Sequence, residues 1–67
     1  MSPLEKQIAC VKREIGMRER VYPTWVGKGK MTTTEANAEI ATMKAVLKTL
    51  EWLESNEEAI KAKVRAA

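Results

Sequence analysis

The side chains that most often carry out catalysis in proteins are scarce in this sequence. Among its 67 residues there is one Cys, Cys10, no His and no Asp, so all nine acidic residues are Glu. The usual general bases, carboxylate dyads and zinc ligand sets draw on the missing residue types. We therefore expect no catalytic residue, no metal ligand and no cofactor, and we predict that the protein is not an enzyme.

The remaining candidates for chemistry are cations and aromatic rings, which suit binding. From Met1 to Met31 seven Lys and Arg residues face three Glu, a net charge of +4, whereas the remainder carries −1. Arg grips carboxylates with two parallel hydrogen bonds, and Arg and Tyr are frequent at the centres of interfaces. We predict a partner-binding surface on the cationic flank of the first helix. Its residues are Arg13, Arg18, Arg20, Tyr22 and Lys28.

Several of these residues also have a structural interpretation. Arg18 stands where the spacing asks for an apolar residue, so its guanidinium must reach water, pair with a glutamate such as Glu39, or meet a partner. The cations could equally form a solvated helix face on which Glu14 pairs with Arg18. Tyr22 and Trp25 could instead pack in the core at the end of the hairpin where the two helices are joined. We expect this core role for Trp25 and leave Tyr22 open between core and contact.

Two amphipathic helices must position these residues. Ser2 and Glu5 have the spacing of a capping box around Pro3, and Thr32 and Glu35 repeat that spacing. The apolar residues that follow recur at intervals of four and three, which is typical of packed helices. They are Leu4, Ile8, Val11, Ile15, Tyr22 and Trp25, then Ala36, Ile40, Met43, Leu47 and Leu50. This pattern predicts an all-α fold, an antiparallel helical hairpin.

Proline and glycine set the expected boundaries within this single domain. Pro23 lacks an amide hydrogen and crowds the preceding turn, so we expect a kink there rather than an end. Gly27 and Gly29 supply the C-cap and the reversal of the chain. The predicted bounds, within a domain of residues 1–67, are helix 1 at about 3–26, a turn at 27–31 and helix 2 at about 33–64.

The C-terminal part of the second helix is ambiguous. After Leu50 the apolar positions shift to Leu53, Ile60 and Val64, while Ser55 and Glu58 form another capping-box pattern. The helix therefore either stutters and continues or breaks near Ser55 into a short third helix. We expect continuity, because no Gly or Pro enforces a turn.

The small size of the chain predicts oligomerisation. A domain this short buries only about 60% of the surface that its unfolded chain exposes, and one Cys allows no internal disulfide. We expect a homodimer that forms a four-helix arrangement. Each helix carries a second stripe that suits such contacts, although Ala is also simply the best helix former. The expected interface residues are Cys10, Met17 and Val21 on the first helix, and Ala38, Ala45 and Trp52 on the second.

The stretch from Arg13 to Glu51 also carries a resemblance. Its features are an Arg/Glu-rich helix, the corner Val-Tyr-Pro-Thr-Trp-Val, a Gly-Lys-Met turn, and a second helix with Glu39-Ile40 and Met43. In these it resembles a group of small phage-encoded helical proteins that includes a quorum-sensing anti-activator. The resemblance covers more than half of the chain and contains no catalytic motif.

The resemblance implies host takeover by blockade of host proteins. Its expected partners are the DNA-binding domain of a LuxR-type transcriptional activator and the type IV pilus assembly ATPase. No apolar run approaches the ~18 residues of a membrane span, so we expect a soluble, cytoplasmic protein. The resemblance implies that this cytoplasm is that of the host bacterium. The alternative is a small basic nucleic-acid-binding or structural phage protein. A net charge of +3 is modest for the former, so we expect no sequence-specific DNA binding.

Overall fold

The computed structural model describes residues 2–66, which form three α-helices in this order. Helix α1 is Pro3–Gly27, α2 is Thr33–Ser55 and α3 is Glu57–Ala66. Helices α1 and α2 pack against each other, and no strand occurs among the described residues. The expected all-α hairpin is therefore confirmed.

Side-chain caps start both long helices where the sequence places them. The Ser2 hydroxyl oxygen accepts a hydrogen bond from the Glu5 amide at 3.1 Å, and Pro3 occupies the first helical position. The Thr32 hydroxyl oxygen accepts from the Glu35 amide at 3.0 Å and donates to the Glu35 carboxylate at 3.1 Å. Each cap satisfies an amide that has no partner within its helix. Both predicted helix starts are confirmed.

The turn between α1 and α2 closes through a single left-handed residue. Gly29 has φ of 72°, and its amide donates to the Val26 carbonyl at 3.1 Å. The Lys30 amide donates to the Trp25 carbonyl at 2.9 Å, which completes a Schellman motif. Helix α1 passes through Pro23 without ending and reaches Gly27. A bend at Pro23 stays a prediction.

The core is narrow and lies along the α1–α2 seam. The buried residues are Ile8, Ile15, Tyr22 and Ala36. The protein measures 54 × 22 × 13 Å, so it is two helices wide and one helix thick. Its radius of gyration is 16.2 Å, against about 11 Å for a compact domain of this length. A single layer of helices buries one face of each helix and leaves the others open.

The expected continuous second helix is wrong, and the alternative of a short third helix is right. Asn56 interrupts the helix, because its side-chain amide donates to the Trp52 carbonyl at 2.8 Å. Its backbone amide bonds to both Trp52 and Leu53 carbonyls, as at a helix end. Helix α3 then restarts at Glu57, and the Ile60 amide donates to the Asn56 carbonyl at 2.9 Å. The side chain of one Asn thus competes with the helix for its own carbonyls.

Candidate interaction surfaces

The two broad sides of the α1–α2 layer differ in composition. At 100° per residue, each helix places one group of residues on either side of the seam. On one of these sides the salt bridge from Arg18 of α1 to Glu39 of α2 connects the two helices. We call this side the apolar face; its apolar members are Val11, Met17, Val21, Trp25, Val46 and Leu53. The other side is the charged face, with Glu5, Lys12, Glu19, Lys44 and Glu51.

Large exposed side chains are concentrated on the apolar face. Met17, Trp25 and Val46 are 43%, 42% and 40% exposed, although residues of these types are usually buried. A concavity of about 280 Å³ opens on α1 between Met17, Val21 and Trp25, with Tyr22 as part of its wall. The face therefore offers both projecting apolar side chains and a recess that could receive one.

The hydroxyl groups of two threonines on the apolar face bond to their own helix. The Thr42 hydroxyl donates to the Ala38 carbonyl at 2.9 Å, and the Thr49 hydroxyl donates to the Ala45 carbonyl at 3.1 Å. Both hydroxyl hydrogens are thus bonded within the helix and do not require water. Burying a polar group is costly when it lacks a hydrogen bond, and these two already have one.

An ionic cluster lies in the middle of the apolar face. The Arg18 guanidinium is 3.6 Å from the Glu14 carboxylate on the same helix and 3.9 Å from the Glu39 carboxylate on α2. These separations exceed the 2.7–2.9 Å of a charge-assisted hydrogen bond. The predicted pairings with Glu14 and Glu39 are both present. A further charge on this face is Glu35, whose carboxylate accepts a hydrogen bond from the Thr32 hydroxyl beside the turn.

The outer edge of α1 carries a line of cations. Lys6, Arg13 and Arg20 are seven residues apart, so they lie within about 40° of one another and about 10.5 Å apart along the helix. We call these three residues the cationic edge. Arg13 and Arg20 border a shallow groove of about 500 Å³ that also includes Gly16 and Met17. Neither Arg forms a salt bridge within the described part of the chain.

The predicted partner-binding residues are not all in one place. Arg13 and Arg20 share the groove just described, whereas Arg18 lies on the apolar face. Lys28 is exposed at the C-cap of α1, where its amide donates to the Thr24 carbonyl at 3.0 Å. Tyr22 is only 7% exposed and belongs to the core, the alternative that its position on the seam left open. We therefore withdraw Tyr22 from the exposed contact surface.

The expectation that Trp25 belongs to the core is wrong. Its ring packs against Tyr22 with centroids 5.7 Å apart, yet almost half of the residue is exposed. A straight helix turns by about 20° relative to a heptad repeat in every seven residues. Over the three heptads from Leu4 this drift moves the seam position about 60° outwards, which carries Trp25 onto the apolar face.

The predicted dimer stripes lie at the two margins of the apolar face. Cys10, Met17 and Val21 flank it on α1, and Cys10 is an exposed free thiol. Ala38, Ala45 and Trp52 follow the outer margin of α2, with Trp52 58% exposed. Sequence reasoning missed Val46, which lies between these margins. Its position three residues after Met43 was the signal, since such a residue stands beside the seam.

A second groove opens on the charged face near the turn. It has a volume of about 420 Å³, and Tyr22, Pro23, Ala36 and Ile40 form its apolar part. Glu19 and Asn37 stand at its polar end. No group of three or more Cys or Glu side chains among the described residues could hold a metal ion. Within residues 2–66 no helix has the length and apolar character needed to cross a membrane.

Comparison of the chain with protein-family models, curated proteins and solved structures finds no match.

Proposed function

We propose that this chain is an interaction protein that acts by covering a surface of another protein. The observation that carries the proposal is the cationic edge of α1, where Arg13 and Arg20 flank a groove next to Met17. Both guanidinium groups are free of salt bridges to the described residues and stand beside an apolar side chain. Interface centres commonly combine cationic and apolar contacts in this way.

The chemistry of the edge favours an acidic protein surface as its target. Arg binds a carboxylate through two parallel hydrogen bonds, so paired acidic side chains complement Arg13 and Arg20. The sequence resemblance adds a partner class, a host LuxR-type transcriptional activator contacted through its DNA-binding domain. It adds the pilus assembly ATPase as a further target and the host bacterial cytoplasm as the site of action.

A weaker candidate function is nucleic-acid binding by the same edge. Three cations in a row also complement phosphates, and phosphate contacts supply most of non-specific affinity. The opposing consideration is charge distribution, because residues 32–67 carry a net charge of −1. We therefore expect weak, salt-sensitive binding to DNA without sequence preference.

The test compares two charge reversals on the same helix. The purified DNA-binding domain of a LuxR-type activator is titrated with the full chain, with Arg20→Glu, and with Lys12→Glu on the charged face as the matched control. We expect Arg20→Glu to weaken binding at least about 10-fold, as at an interface centre, and Lys12→Glu to change it by less than about threefold. Circular dichroism checks that both variants keep their helicity.

Three results would count against the proposal. The first is no binding of the wild-type chain to this domain or to any protein captured from host lysate. The second is equal weakening by both charge reversals, which would indicate only non-specific attraction. The third is nanomolar binding to one DNA sequence at physiological salt, which would make nucleic-acid recognition the primary function.

A further inference from the structure

The apolar face of the α1–α2 layer has no partner within the chain, and its polar groups are arranged as if for burial. We propose that a second copy of this chain covers it, so that two hairpins stack face to face into a four-helix bundle with its twofold axis near Arg18. This inference concerns the assembly and does not depend on the partner proposed above.

The surface area of the chain is large enough for such a dimer. The chain exposes 5172 Å², whereas a compact protein of 7.5 kDa exposes about 4,250 Å². The excess of about 900 Å² is close to the ~800 Å² that each partner contributes to a stable interface. The layer is also 22 Å wide, and α1 is about 37 Å long, so the face itself covers about 800 Å².

The polar groups of the face tolerate a dry, apolar cover. The hydroxyls of Thr42 and Thr49 already donate to carbonyls of their own helix. Met17, Trp25 and Val46 supply projecting apolar surface. A charged or strongly hydrated partner would gain little binding free energy on this face. A second copy of the same face would bury its own apolar surface against it.

The ionic cluster gives the face a self-complementary centre. Arg18 stands between Glu14 and Glu39 at separations too long for strong hydrogen bonds, so its guanidinium retains free donors. A twofold axis nearby brings each Arg18 towards the glutamates of the second copy. Isologous interfaces require this kind of matching, because the same patch must complement itself. The cationic edge and the charged face remain exposed, each present twice.

Sedimentation velocity on the full chain tests the assembly. We expect a mass of about twice 7.5 kDa at low micromolar concentration. Val46→Glu places a carboxylate at the interface and should weaken association about 100-fold, whereas the matched control Lys48→Glu should change it by less than about threefold. Val46 is 40% exposed in the single chain, so the substitution leaves the hairpin itself able to fold.

Cross-linking tests the same interface independently of any destabilising charge. In a Cys10→Ser background, Thr42→Cys should be linked to its counterpart by a bismaleimide with a flexible spacer, because position 42 lies on the covered face but away from the twofold axis, too far from its copy for a disulfide. Ala41→Cys, one residue away on the other side of α2, should stay monomeric with the same reagent. A monomeric wild-type chain at tens of micromolar would overturn the proposal. So would a dimer that survives Val46→Glu and does not cross-link through position 42, or assemblies that keep growing with concentration.

Discussion

The two broad faces of the helix pair differ in where their polar side chains find partners. On one face the partner is solvent, and on the other it is the protein itself. On the charged face the polar side chains of Lys12, Glu19 and Lys44 are exposed to solvent. On the apolar face the hydroxyl of Thr42 is turned onto its own helix, and Arg18 stands between two carboxylates. Both faces belong to the same two helices, so helix propensity does not account for the difference. Such a contrast is expected when one face meets water and the other meets protein.

The largest expected effect is on the free energy of unfolding. It compares Tyr22, a core residue that lies beneath both faces, with Trp25, which belongs to the apolar face alone. Tyr22 lines the grooves on both sides, whereas Trp25 lines only the recess on the apolar face. We expect Tyr22→Ala to lower the free energy of unfolding by about 3 kcal/mol and Trp25→Ala by about 1 kcal/mol. Urea unfolding at a fixed protein concentration measures both values. Equal losses would indicate that Trp25 belongs to the core after all.

The next effect compares one glutamate on each face. Met17→Glu should lower the free energy of unfolding by about 2 kcal/mol and make the melting temperature independent of protein concentration. Lys12→Glu on the charged face should remain within about 0.5 kcal/mol of the wild type. Thermal melts followed by circular dichroism at two concentrations test this. If both variants behave alike, the two faces are equivalent in solution and the comparison fails.

A smaller effect of opposite sign is expected at the margin of the charged face. Gly16 lies inside α1, and a Cβ placed there meets nothing within 4 Å. Gly16→Ala should therefore raise the free energy of unfolding by about 0.8 kcal/mol through helix propensity. The same variant should be titrated against any partner of the cationic edge. Higher stability with weaker binding would indicate that a partner backbone approaches the helix at Gly16.

The smallest effect concerns the hydroxyl of Thr42. Thr42→Val removes a hydrogen bond that lies within one helix and keeps the branched shape, so we expect a change below about 0.5 kcal/mol. Association should be as strong as in the wild type or stronger, because the face loses a polar atom. Sedimentation velocity measures the association constant. Weaker association would show that the hydroxyl contributes to a contact outside its own helix.

The sequence contains enough information for the two long helices and little for the shape of their assembly. The capping boxes at Ser2 and Thr32, together with Gly29, predict where the helices start and turn, because each satisfies local backbone groups. The break at Asn56 could not be decided in advance. A shift of the apolar positions from Leu50 to Leu53 is compatible with both a stutter and an end, and the deciding hydrogen bond belongs to a weak helix breaker.

The positions of the candidate binding residues could be predicted in part, for a geometric reason, while their role in binding stays a prediction. Arg13 and Arg20 were placed together correctly, because residues seven apart share one side of a helix. Arg18 is close to them in sequence but lies about 160° from Arg20 around the helix. The predicted set of cations therefore combined residues that belong to two different surfaces. Trp25 was misplaced because a heptad pattern ignores the slow rotation of a straight helix. The exposure of Val46 is a property of the single-layer shape.

The position of helix α3 has a consequence for local unfolding of the chain. It follows the end of α2 along the chain and makes no contact with α1 among the described residues, and Asn56 separates it from α2. Its amide hydrogens are therefore protected by a unit that can unfold alone, at a free energy well below that of the hairpin. Hydrogen exchange should divide the chain into a fast-exchanging segment after Asn56 and a slow one around Ile15. Proteases that require an unfolded stretch of about ten residues would then cut α3 first and leave the hairpin intact.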